Sequence, residues 1–133
     1  MRRKTWGNDL NQYMVEARKR AWGPFECGHF VAGAVEAMTG QDLKTIEYSD
    51  PESLKQALKD HGSNSLYNYM RRHFGKAIAA AAAKRGDIMY RKEAGQPCLG
   101  ILLSHNRAFF LGENDLVEVS RFDCERAWHV PYG

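Results

Sequence analysis

Hydrophobic positions along this chain follow one period in the first half and another in the second. From Asn8, a candidate N-cap with Asp9 in the first turn, Leu10, Tyr13, Met14 and Ala17 recur at helical spacing. Arg18, Lys19 and Arg20 then complement the negative end of that helix, and Gly23 and Pro24 interrupt the pattern. A second helix is predicted from about Glu26 to Met38, closed by Thr39 and Gly40. Its stripe of Cys27, Phe30, Val31, Ala34, Val35 and Met38 marks it as the central buried helix. Ser49 or Asp50 caps a third helix, which opens on Pro51 and Glu52, sets Leu54, Ala57 and Leu58 on one face and ends at His61 and Gly62. A fourth, from about Ser65 to Phe74, runs through Leu66, Tyr69, Met70 and Phe74.

The alanine-rich run from Ala77 to Ala83 is open between states, because alanine favours helix while a Gly-Asp turn follows closely. Beyond it the period falls to two. Asp87 to Arg91, Cys98 to Ser104, Ala108 to Leu111 and Leu116 to Ser120 read as strands joined by hairpin-type turns, and a last short segment holds Cys124, Ala127, Trp128 and Val130. Helices followed by short strands predict an α+β domain with segregated layers: at least four antiparallel strands, with the helix from about Glu26 to Met38 lying against them.

The 133 residues fit a single domain over 1–133, with a helical half at about 8–74 and a sheet half at about 86–130. A hydrophobic share of 44% and a charged share of 26% match folded proteins and disfavour disorder. No run of eighteen apolar residues occurs, and the first residues lead into polar sequence, so no membrane span and synthesis in the cytosol are expected. Three widely spaced cysteines, Cys27, Cys98 and Cys124, permit at most one internal pair and describe a secreted disulfide scaffold poorly. The net charge of +3 is unevenly spread: residues 1–22 carry six Lys/Arg against two acids, and residues 71–92 carry seven against one. Without a nucleic-acid motif or interleaved aromatics these clusters read as solvated surface, and no nucleic-acid partner is expected.

Cys27 is the most informative residue for chemistry. It falls at the first turn of the central helix, where unpaired amides and the helix dipole favour a thiolate, although adjacent Glu26 opposes ionisation and a cysteine so placed is more often a packed thiol than a nucleophile. A nucleophile needs a base. His29 lies roughly 200 degrees around the same helix, and His61 and His73 follow or end helices. His105 sits in a hairpin turn and His129 alternates with Trp128 and Val130, so both are weak base candidates. Ligand spacing for zinc or an iron-sulfur cluster is lacking, as are phosphate-loop, dinucleotide and serine-elbow motifs; no cofactor is expected.

Five stretches in order, Trp22-Gly-Pro-Phe-Glu-Cys27-Gly-His-Phe30, Ala37-Met-Thr-Gly40 with Asp42, Arg85-Gly-Asp-Ile88, Leu99-Gly-Ile101 and Cys124-Glu-Arg-Ala-Trp128-His-Val130, resemble an uncharacterised phage and prophage branch of the NlpC-like, papain-fold superfamily. That resemblance implies a papain-like α+β fold in which a cysteine at a helix start packs against an antiparallel sheet, and an ancestry among cysteine peptidases that cleave peptidoglycan peptides. It assigns the nucleophile to Cys27. Active members carry histidine where this chain has Cys98, before Leu99-Gly100-Ile101, and a polar orienting residue on the next strand, where this chain has Ala108, Phe109 and Phe110. A thiol does not replace imidazole as a base at neutral pH. Gly86-Asp87 reads as a structural turn.

The resemblance therefore implies a tail-tip or baseplate-hub component of a tailed phage, assembled in the host cytoplasm and carried in the virion. It would be a degenerate cysteine peptidase that acts structurally in tail assembly or in penetration of the cell. Other tail-tip or hub proteins would be its partners, with peptidoglycan as a further one. Two alternatives stand beside it: an active peptidoglycan peptidase or amidase in which His105 or His129 reaches Cys27, and a small metal- or iron-sulfur-binding protein using the three cysteines.

Overall fold

A computed structural model describes residues 2–23, 26–43, 50–60, 62–112 and 115–131. Among them are four α-helices, α1 (Trp6–Lys19), α2 (Cys27–Thr39), α3 (Pro51–Asp60) and α4 (Leu66–Phe74), followed by β1 (Ile78–Ala79), β2 (Ile88–Glu93), β3 (Gln96–Ser104), β4 (Arg107–Leu111), β5 (Leu116–Ser120) and β6 (Arg126–Trp128). The strands form one antiparallel sheet in the order β1-β6-β2-β3-β4-β5. The α+β class, the four helices and the antiparallel pairing are as the periodicity predicts. The last short segment is a strand inserted between β1 and β2, and the alanine run, whose state the residues leave open, becomes β1 followed by a 3-10 turn over Ala80–Ala82.

Local chemistry accounts for most boundaries. α1 begins at Trp6, two residues before the Asn8 cap read from the sequence; Thr5 precedes it and donates its hydroxyl to Asp9 Oδ2 at 2.7 Å. Gly40 closes α2 at φ 77°, the left-handed conformation that glycine adopts without strain. Asp50 caps α3 by accepting from the Ser53 amide at 2.7 Å, and Ser65 caps α4 by accepting from the Asn68 amide at 3.0 Å. The alternative cap Ser49, Pro24 and the helix stop His61 lie outside the described residues.

Alternation along the strands divides the side chains between two cores. Ile88, Tyr90, Leu99, Ile101, Phe109 and Trp128 face the helices and pack with Leu10 and Met14 of α1, Phe30, Val31, Ala34, Val35 and Met38 of α2, and Leu66 and Met70 of α4. On the other face Met89, Leu102, Ala108, Phe110, Val119 and Ala127 are covered by Ala80, Ala83 and Cys124. Ala80 and Ala83 pack directly on this sheet face, a tertiary contact that overrides the helix propensity of an alanine run. Arg121, itself buried, fastens this cover by donating to the carbonyls of Ala81 (3.0 Å), Ala83 (3.1 Å) and His105.

α1 and α2 meet closely at Gly33, where an added Cβ would fall 2.4 Å from Tyr13 Oη. The Tyr13 hydroxyl donates to the Phe30 carbonyl at 2.7 Å and its ring stacks on Phe30. Burial pushes its pKa up to about 12, against a smaller opposing effect of Arg20.

The ends of the chain and the entry to β2 converge on Asp87, whose side chain is fully buried. It accepts from Arg2 Nη2 (2.9 Å), His129 Nδ1 (2.7 Å), the Lys84 amide (2.8 Å) and the Val130 amide (3.1 Å). Arg2 also donates to the carbonyls of Arg85 (2.7 Å) and Val130 (3.1 Å). Gly86 turns at φ 90° beneath Arg2 and Met38, where an added Cβ would come within 2.6 Å of Arg2 Nη1.

Asp87→Ala strands a buried guanidinium and two amides, so urea denaturation should show a loss of about 3–5 kcal/mol, whereas His129→Ala, at a half-exposed imidazole, should cost about 1 kcal/mol or less. Tyr13 predicts the alkaline behaviour. Its folded pKa lies above the unfolded value, so its contribution is whole below pH 10 and is lost as pH rises through about 12. Tyr13→Phe should flatten the fall in melting temperature over that window.

Candidate functional site

The first turn of α2 presents Cys27 on the helix-facing side of the sheet, half-buried against the main core. Trp22, Gly23 and Glu26, which precede it, are each held by contacts. The Trp22 indole donates to the Ala17 carbonyl at 2.9 Å and meets Phe30 edge-on at 5.7 Å between centroids. Glu26, at the cap position, accepts from the Gly23 amide and faces Arg20 at 3.5 Å. Its charge is thus engaged by Gly23 and Arg20 and not left free beside the thiol.

Cys98 lies at the same end of the sheet, but the pleat turns it the other way. Leu99 and Ile101 point to the helices, whereas Cys98 packs with the second core on the opposite face. Burial pushes the Cys98 thiol up, and the Cys27 and Glu93 charges push it further, partly opposed by Arg91 and a backbone hydrogen bond. Cys27 thus bears on the Cys98 thiol although the two side chains pack into different cores. All three cysteines are free thiols. On β4, Ala108 and Phe110 face the second core and Phe109 the first, so the positions where an orienting polar residue is expected are apolar and buried.

Neither histidine named as a base comes to Cys27. α2 runs from Cys27, at the β2–β3 hairpin end, to Met38, whose sulfur lies against Gly86; eleven residues at 1.5 Å each separate those ends by about 16 Å. His129 bonds Asp87, immediately after Gly86, and so belongs to the Met38 end. His105 occupies the turn between β3 and β4, seven residues from Cys98 along an extended strand, or roughly 23 Å. That turn is at the same far end, since the Gly86 amide donates to the Leu102 carbonyl at 2.6 Å. Asp87 and His129 form a carboxylate-imidazole pair, but with Arg2 on the carboxylate it acts as a clamp. His73 is exposed and lies tilted against Tyr69 at 4.4 Å between ring centroids, His29 stands on α2 itself, and His61 is outside the described residues.

Among the described residues no group of three His, Cys, Asp or Glu could hold a metal ion. What sequence reasoning missed is a groove of about 730 Å³ near the hairpin end, lined by Leu66 and Tyr67 of α4, Tyr90 and Lys92 of β2, Pro97 of β3 and Arg126 of β6. The signal was present in the alternation that puts Tyr90 and Lys92 on one face, but the pairing of Arg126 with Tyr90 depends on the inserted strand.

These features define an α+β domain whose central helix presents a cysteine at one end of an antiparallel sheet without either candidate histidine beside it. The family model described as Domain of unknown function (DUF6950) matches residues 1–130, and the chain belongs to that family. No curated protein matches it. No helix among the described residues is long and apolar enough to cross a membrane.

The three thiols should alkylate unequally. Cys124 is buried, and burial pushes its pKa up to about 11 despite Arg91, so iodoacetamide at pH 8.5 followed by peptide mass analysis should modify it last, after Cys27 and Cys98.

Proposed function

We propose that the protein is a papain-like, NlpC-type domain that acts structurally at the tail tip or baseplate hub of a tailed phage and has lost peptidase chemistry. The observation that carries the loss of activity is the separation of Cys27 from both His105 and His129 by the length of α2 and of β3. A cysteine peptidase needs an imidazole within hydrogen-bond reach of its thiol, about 2.6–3.2 Å. Support for the ancestry comes from the central helix that begins at Cys27 and lies on an antiparallel sheet, together with the sequence stretches that flank it. The assembly role rests on the phage-tail resemblance of those stretches.

Cys27→Ala is expected to change stability by about 1 kcal/mol, the size of a small deletion at a half-buried site, and to leave virion assembly and infectivity at wild-type levels. Deletion of the gene should abolish infectivity. Fully infectious virions lacking the protein contradict the assembly role. Clearing of purified cell wall in a gel, lost in Cys27→Ala, contradicts the loss of activity and restores the peptidase reading.

A further inference from the structure

The groove at the hairpin end has a chemistry that the clamp and the thiol do not explain. Its sheet side is the part of the helix-facing surface that carries Tyr90, Lys92 and Arg126, and its opposite wall is Leu66 and Tyr67 from the first turn of α4. Tyr67 meets Tyr90 at 5.4 Å and Trp128 at 5.3 Å, so the apolar wall is braced from beneath by aromatic contacts. Lys92 and Arg126 have neither an ion pair nor a side-chain hydrogen bond among the described residues. Most other arginines of the fold are engaged, for example Arg2 with Asp87, Arg107 with Glu118 and Arg121 with three carbonyls.

The positions of the two cations are fixed by the sheet. Arg126 pairs with Tyr90 across β6 and β2, and Lys92 follows Tyr90 by two residues on the same face. They are therefore diagonal neighbours, roughly 7–8 Å apart at the backbone. An extended polypeptide presents its side chains i and i+2 on one side at about 6.6–6.8 Å, with residue i+1 turned the other way. We infer that the groove receives an extended segment of a partner protein with the pattern acidic-apolar-acidic, its two carboxylates on Lys92 and Arg126 and its apolar residue against Leu66 and Tyr67. A groove of about 730 Å³ that carries an apolar wall beside its two cations suits such a segment better than a small anion, which has no use for that wall. Glu125, the carboxylate among the lining residues, excludes a third acidic contact and helps set the register.

This deepens the assembly reading by naming the chemistry of the partner, and it rests on that reading only for the partner being a protein. The test uses the full chain and a fluorescein-labelled, capped pentapeptide Gly-Glu-Leu-Glu-Gly, followed by anisotropy at low and physiological salt. Saturable binding is expected, weakened by salt and weakened about tenfold or more when both glutamates become glutamines. Lys92→Glu with Arg126→Glu should abolish that binding and take up Gly-Lys-Leu-Lys-Gly instead. Near-UV circular dichroism checks that this variant keeps its aromatic core, and Lys92→Gln alone should give a partial loss if it does not. Equal affinity for the glutamine peptide overturns the inference, as does unchanged binding by the charge-reversed variant. Competition at equal concentration by glutarate would assign the site to a small anion, and displacement by phosphatidylglycerol vesicles would assign it to a membrane; either overturns it. Peptide binding by a protein whose gene is dispensable for infectious virions would sink the assembly role alone. A required gene with no peptide binding would sink the groove alone.

Discussion

A single buried carboxylate holds the ends of this fold together. Asp87 stands at the start of β2, yet its ligands come from residue 2, from the turn that precedes it and from the segment that follows β6. A desolvated carboxylate is tolerated only when its lone pairs are filled, and here a guanidinium, two amides and an imidazole fill them. The consequence is topological. β6 lies between β1 and β2, and Arg2 bonded to Val130 and Arg85 fixes α1 over the same end of the sheet. Trp6 then lies 4.3 Å from the Arg2 guanidinium and 5.4 Å from that of Arg85, which carries the constraint into the first helix.

The same clamp determines what the thiol can and cannot do. Anchoring the Gly86 turn under Met38 sets the direction of α2, and the direction of α2 sends Cys27 to the hairpin end. His129 is committed to Asp87 at the opposite end, and His105 is carried there by the length of β3. The pleat completes the separation, because a strand that buries Leu99 and Ile101 against α2 must turn Cys98 to the other face. Both histidines thus serve or neighbour structural turns, and the helix-start cysteine has neither imidazole beside it.

Much of this was legible in the residues. The stripe from Cys27 to Met38 identified the central helix to within one residue, and the change of period marked the sheet. Gly86-Asp87 was read as a turn, and it is one. Three things were not legible, each for a physical reason. The place of β6 and the bonds of Asp87 to Arg2 and His129 are contacts between residues far apart in the chain, which no local period encodes. The state of the alanine run depends on packing Ala80 and Ala83 against the second sheet face, a tertiary demand that overrides propensity. The groove required Arg126 to lie beside Tyr90, and so waited on the strand order.

The separation of the thiol from both histidines is the claim on which the account turns, and nuclear magnetic resonance can read it directly. Titration of the His105 and His129 imidazole signals, before and after alkylation of Cys27, measures whether either ring senses that sulfur. Superimposable titration curves are the predicted result. A displaced midpoint for either histidine on alkylation would place an imidazole beside Cys27 and contradict the account.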